Sequence, residues 1–360
     1  MHLQRVDCLL LFGAGRTMDI QYLVDWPGTR ESYLVFPSSA DPILLVQFYN
    51  HVPNAKRVAK LDEVRWAGPG SIDGVVAALA ERVAAGGRVG LVGAISWRLA
   101  RAIAERLPRV ELVDFTSELR MVRAVASEDE IALLRVAARL TDQAMWALEY
   151  EARPGIRERD LARIVERAVI DAGGTPGIHF MATTPMRAPR IGVPSQLPSD
   201  RLLERGDVLI TEISAHHHGY GGQIHRAYAI GEDPTPEFQR LHDVATQTYE
   251  RIRAVLRDGA TVADVLDAAE IVHERGYTVY DDLLHGTDQL PPVLQTWRTT
   301  RGPLPLSLVF RENMVVVIQP NVVTDATGTM GLQVGETVRI THDGVERLHD
   351  YPMRFVRCGR

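Results

Sequence analysis

Cysteine is nearly absent from this chain of 360 residues, which has only Cys8 and Cys358. Two cysteines near opposite ends, outside any Cys-x-x-Cys or zinc-type spacing, exclude a disulfide framework and fit a reducing compartment. Excess positive charge is missing as well: 40 Lys and Arg stand against 46 Asp and Glu, for a formal charge of -6. With no basic run there is no electrostatic footprint for a phosphate backbone or an anionic membrane surface, so neither nucleic acid nor membrane is expected as a partner. No apolar stretch approaches the ~20 residues of a membrane span. The opening segment lacks the basic and apolar regions of an export signal, and a cytoplasmic protein is expected. Low-complexity segments and internal repeats are also lacking. With 46% hydrophobic and 24% charged residues, the chain reads as an ordinary soluble globular protein.

The length exceeds the roughly 250 to 300 residues at which one hydrophobic core stops growing, so two domains are expected, over 1–122 and 123–360. In the first, short apolar runs (Val6 to Phe12, Tyr33 to Phe36, Ile43 to Phe48, Val89 to Gly93, Val110 to Phe115) alternate with amphipathic helices in an α/β rhythm. One helix is predicted over Asp73 to Ala85, with Val75, Val76, Leu79 and Val83 on one face and Gly86-Gly87 as its stop. Gly13-Ala14-Gly15 does not make a dinucleotide fingerprint, because Met18 stands at the third glycine position. A plain turn is predicted there.

Ser127-Glu128-Asp129-Glu130 spells a capping box. The long helix it opens places Ile131, Leu134, Ala138, Met145 and Leu148 at helical spacing and stops at Arg153-Pro154-Gly155. A second helix is predicted over Glu158 to Ala172, burying Leu161, Ile164, Val165 and Ala168. Strands with tight turns follow, at Val208 to Ser214 and Gly219 to Gly231. Helices over Glu237 to Arg257 and Val262 to Arg275 come next, and two further strands close the chain. Strands and helices without strict alternation indicate an α+β second domain.

The stretch GDVLITEISAHHHGYGGQIHR, Gly206 to Arg226, resembles a motif of the creatinase, aminopeptidase P and prolidase family (peptidase M24). The pieces LLHGTD (Leu283 to Asp288), VVIQPN (Val316 to Asn321) and GLQVGETVRITHDG (Gly331 to Gly344) match others in order. The resemblance implies an α+β protein: a C-terminal pita-bread domain with a smaller N-terminal α/β creatinase-type domain. It also implies a homodimer in which the small domain of one chain approaches the pocket of the other. The family's metal-dependent members hold two divalent ions with two aspartates, one histidine and two glutamates. The matching positions here are Glu212, Gln223, His285, Gln319 and Gly335, so the chain departs from the pattern at four of five. Two ions bring a charge of +4, which Glu212 alone does not neutralise. No metal and no other cofactor is therefore expected. Glu336 is a stand-in for Gly335 only if alternation along the strand is broken.

His285 is the leading candidate for proton transfer, with Glu212 placed to orient it and His225 as a second acid or base, or a packed histidine. Gln223 and Gln319 keep polar atoms of similar reach to the residues they replace, which suits a small-molecule pocket. Arg226 has the planar fork that binds a substrate carboxylate, although a structural ion pair is the commoner use. Ser195, Asp288, Asn321 and Glu336 complete the expected substrate-binding set, and Tyr220 is expected to support it. Creatinase hydrolyses a carbon–nitrogen bond without metal through a histidine in a Pro-His motif, but here that motif reads Pro194-Ser195. His216-His217-His218 falls between two strands and reads as a solvated turn. Neither Ser195 nor Ser214 sits in a nucleophile elbow. The expectation is a metal-independent enzyme hydrolysing an amide, amidine or other C–N bond in a small polar molecule by acid-base catalysis. Lyase, isomerase or cyclase chemistry on the same site is the alternative, as is a pseudopeptidase that binds a peptide or protein.

Overall fold

The computed structural model describes residues 1 and 5–359. The chain divides into two compact units, Met1–Val122 and Arg123–Arg360.

In the first unit six strands form one sheet, in the order Glu63–Trp66, Ile43–Val46, Ser32–Pro37, Cys8–Gly13, Arg88–Val92 and Glu111–Asp114. Strands buried on both faces read as unbroken apolar runs. Leu9, Leu11, Leu34 and Leu44 pack against Ile20, Val24 and Ala55 of the helices Met18–Val24 and Val52–Val58. Cys8, Leu10, Val35 and Leu45 pack on the other face against Val75, Leu79, Leu99 and Ile103, from helices Ile72–Arg82 and Trp97–Arg106. The helix predicted to reach Ala85 ends earlier because Val83 turns extended, at φ -119°. Gly15 takes a φ of 63°, the turn conformation that glycine adopts without a steric cost.

The second unit is built on a nine-stranded sheet. Seven strands run in the order Val293–Leu294, Leu284–Gly286, Val315–Ile318, Gly335–Ile340, Tyr220–Ile230, Asp207–His217, Thr175–Pro185, each antiparallel to the next, while Val345–Arg347 pairs with Gly335–Ile340 and Val356–Cys358 with Tyr220–Ile230. The capping box forms as read: Ser127 Oγ accepts from Glu130 N–H at 3.3 Å, and Glu130 Oε2 accepts from Ser127 N–H at 2.8 Å. The helices Glu128–Glu151 and Glu158–Asp171 cover Leu209, Ile213, Ala215, Ile224 and Tyr228. Helices Pro236–Val255 and Val262–Ala269 cover Val316, Ile318, Val338 and Ile340. The single helix predicted over Val262 to Arg275 is interrupted where Glu270 N–H closes on Asp267 O, a three-residue step that breaks the α-helical register.

The apolar positions under these four helices alternate along their strands and match in register: Ile224 faces Glu336, Glu336 faces Ile318, and Val338 faces Val316. One face of the sheet is therefore the helix-covered face, although on the opposite face Val208, Ile210, Ala227 and Ala229 also pack with Phe238, Leu241 and Ala245 of the helix Pro236–Val255. The other carries Glu212, Ser214, Gln223, His225, His285 and Val317.

Candidate functional site

Glu212 lies directly opposite His225 in the antiparallel register, and Gln223 precedes His225 by two residues on the same face. The Gln223 amide bridges them. Its Nε2 donates to Glu212 Oε1 at 2.9 Å and lies 3.3 Å from His225 Nε2, which accepts its second proton. This assignment puts the His225 proton on Nδ1, a buried atom that has no hydrogen-bond partner. Burial, and then the charges of His285 and Arg226, hold the His225 imidazole well below its ordinary value, so it is neutral at pH 7.

Burial moves Glu212 the other way. Loss of water, followed by repulsion from Asp281 and Asp282, raises its carboxyl to about 7. Asp281 is raised too, chiefly by burial, with the charge of Asp282 adding and a hydrogen bond from Asp282 N–H opposing. Asp282 in turn accepts from Gln295 Nε2 at 2.6 Å.

His285 reaches the same face from the strand Leu284–Gly286. Its Nδ1 donates to Gly286 O at 2.7 Å, and its Nε2 lies 3.0 Å from Gln319 Oε1. The pair expected between His285 and Glu212 is not formed: His285 is held by Gly286 and Gln319, and Glu212 by Gln223. His285 and Gln223 line a cavity of about 60 Å³ together with Ser214, His216, Thr287 and Asp288.

Alternation sends other expected site residues elsewhere. Arg226 follows His225 by one residue and points to the helix-covered face, where it and Glu336 are both fully buried. Its five N–H groups are all used, on Glu336 Oε2 (2.6 Å) and on the carbonyls of Gly335 (2.7 Å), His225 (2.9 Å), Pro352 (2.9 Å) and Tyr351 (3.0 Å). No donor is left for a substrate carboxylate. Glu336 also accepts from Tyr249 OH at 3.0 Å and from Arg347. Burial pushes its carboxyl up, but the Arg347 hydrogen bond and the charges of Arg226 and His349 outweigh that and hold it at about 2. The expectation that Arg226 and Glu336 touch substrate is corrected accordingly.

Asn321 donates to Gly192 O at 3.0 Å and Leu332 O at 3.3 Å, which ties backbone segments together. Ser195 Oγ donates to Leu197 O within its own loop at 3.1 Å, away from the cavity. Tyr220 OH donates to Glu130 at 3.1 Å, a supporting contact. Of the three consecutive histidines only His218 is in the turn, with φ 50°; His216 is still in the strand and lines the cavity. The two-residue spacing of Glu212, Ser214 and His216 was the signal for this. Asp281 and Asp282 carried no motif that pointed to them.

The donor set does not fit a pair of divalent ions. The atoms of Glu212 and His225 that would face a cation converge on the NH₂ group of Gln223, a hydrogen-bond donor. A side chain at Gly335 would overlap the Ile318 carbonyl oxygen, so the backbone has closed over the fifth ligand position. Among the described residues, no three His, Cys, Asp or Glu side chains are grouped so as to hold an ion.

A sheet with four helices on one face and a polar cluster on the other, joined to an α/β unit, is the pita-bread architecture with its N-terminal companion. Residues 132–342 match the model of metallopeptidase family M24, and residues 1–125 match the Creatinase/Prolidase N-terminal domain. The chain belongs to family M24. It is 25% identical to an Xaa-Pro dipeptidase of Pyrococcus furiosus over 268 residues, 72% of this chain and 73% of that one. It is 31% identical to an uncharacterized hydrolase/peptidase of Sinorhizobium fredii over 199 residues, 54% of this chain and 51% of that one. Among solved structures, the X-Pro aminopeptidase of Thermotoga maritima superposes with a TM-score of 0.82 at 22% identity, covering 99% of this chain and 97% of that one. Among the described residues no helix is long and apolar enough to cross a membrane.

Proposed function

We propose that this protein hydrolyses a carbon–nitrogen bond in a small polar molecule by proton transfer through Glu212, without a metal ion. The observation that carries the reading is a carboxyl raised to about 7 beside a neutral imidazole, at a place where the family pattern has metal ligands. A group that titrates near the working pH is present in both forms, which suits a general acid and base. Ionised Glu212 takes a proton from water, and protonated Glu212 gives it to the leaving nitrogen. His285 is fixed through Nδ1 and turns Nε2 toward Gln319; these two side chains and Gln223 hold the polar head of the substrate.

Relatives named as dipeptidases and aminopeptidases support hydrolysis as the reaction class. The cavity supports a small substrate head: about 60 Å³ is roughly twice one water's share of liquid volume, far below the roughly 300 Å³ or more of a drug-sized site. The same small volume favours a second reading, a former peptidase retained as a binding module. A two-fold homodimer and a cytoplasmic setting belong to the proposal, the latter supported by two buried, unpaired cysteines.

Chelator-treated protein assayed against a panel of dipeptides, small amides and amidines tests it. The expected result is turnover whose kcat/KM titrates near pH 7 and falls at least ~100-fold in folded Glu212→Gln. Turnover unaffected by that substitution overturns the role of Glu212. Saturable binding without turnover favours the binding module.

A further inference from the structure

Three residues on the cavity wall are left unused by the acid-base site. Ser214 and His216 follow Glu212 at two-residue intervals and share its face. Two glycines keep a slot open for the His216 ring. A Cβ at Gly221, its cross-strand neighbour, would come 2.9 Å from His216 Nε2, and one at Gly177 would come 2.5 Å from Nδ1. That same point at Gly177 would overlap Ser214 Oγ, so Ser214 Oγ and His216 Nδ1 border one methyl-sized gap and lie within about 5 Å of each other.

On its other side His216 Nε2 faces Asp288 Oδ1 at 3.4 Å. Asp288 holds a φ of 53°, a left-handed conformation that non-glycine residues seldom adopt and that collects at functional sites. The strand next to Ser214 is also irregular. A register shift between Pro176 and His179 takes Ile178 out of the ladder, and its N–H donates to Ser214 Oγ at 2.8 Å. Such bulges re-aim groups beside active sites.

We propose that Ser214, His216 and Asp288 form a nucleophile, base and orienter opening into the cavity, and act on small amides or esters through an acyl-serine. This rests on the C–N hydrolysis reading and changes its first step: the serine attacks where that reading has water, His216 protonates the leaving group, and Glu212 is kept for the water that hydrolyses the acyl group. Ser214 Oγ attacks the carbonyl carbon while His216 Nδ1 takes the hydroxyl proton. Ile178 N–H, 2.8 Å from Oγ, is within reach of the carbonyl oxygen as it becomes negative. The C–N or C–O bond then breaks, and the amine or alcohol leaves with the proton from His216. Water adds to the acyl group, releases the acid and restores the serine hydroxyl. Separations longer than a hydrogen bond between nucleophile and base are common before substrate arrives.

The test uses an alkyl fluorophosphonate, followed by intact mass and peptide mapping of the full chain. One adduct per chain on Ser214 is expected, absent in Ser214→Ala. Labelling should be at least tenfold slower in His216→Gln and in Gly177→Ala, each checked for a cooperative melt. A serine that only caps the Ile178 N–H gives no adduct, and that result overturns the proposal. So does labelling that persists in Ser214→Ala or is unchanged in His216→Gln. Glu212-dependent turnover without labelling would sink the triad and leave the hydrolase reading standing. Labelling with turnover indifferent to Glu212→Gln would leave the triad standing and remove Glu212 from the reaction.

Discussion

Glu212 and Glu336 are acidic side chains on nearby strands of one sheet, and the face each points to separates their chemistry. Glu336 enters the helix-covered face and meets two arginines and a tyrosine, which hold its carboxyl at about 2 in spite of burial. Glu212 enters the open face and meets one neutral amide, with two more carboxylates nearby, and is raised to about 7. Burial pushes both upward, so the partners decide the outcome. A carboxylate saturated by cations joins strands; one left with an amide keeps a proton to exchange.

Breaking the saturated side should have the largest effect. Arg226→Met leaves Glu336 short of a buried counter-charge and is expected to cost about 3–5 kcal/mol in urea unfolding. A loss under 1 kcal/mol would mean that Arg347 and Tyr249 suffice.

On the open side, the Glu212 pKa is raised from 4.5 to about 7 on folding. A raised carboxyl favours the fold below pH 4.5, where native and unfolded states are both protonated, and loses that contribution as pH climbs to about 7. Glu212→Gln should therefore gain stability over the wild type across this window, to about 3 kcal/mol at pH 8. Parallel stability curves would show that Glu212 is not perturbed. The smallest effect is expected from Gln223→Leu, which removes the Gln223 hydrogen bond that favours the Glu212 anion. The kcat/KM midpoint should move further upward by the equivalent of about 1 kcal/mol, and a downward move would refute the bridging role.

Much of this fold was legible in the sequence, because the signals were local. The Ser127 to Glu130 box and the spacing from Ile131 to Leu148 each belong to a single element. The site was legible only in part. The changes at Gln223, Gln319 and Gly335 could be read as loss of anionic ligands, but which group pairs with Glu212 depends on register between strands. Period-two alternation already separated Arg226 and Glu336 from Gln223, and it also placed His216 with Glu212; the histidine run hid the second of these. Asp281 acts through space from a different loop and left no pattern to read.

The central claim is that Glu212 and His225, both closed onto the amide of Gln223, leave no place for a pair of divalent cations. Manganese and zinc titrated into chelator-treated protein, followed by thermal melting at pH 7.5, test it without any substrate. No saturable rise in Tm is predicted for either ion. A rise that saturates at two ions per chain, with the stabilisation of about 2.7 kcal/mol per ion expected at a hundredfold excess over Kd, would contradict the account.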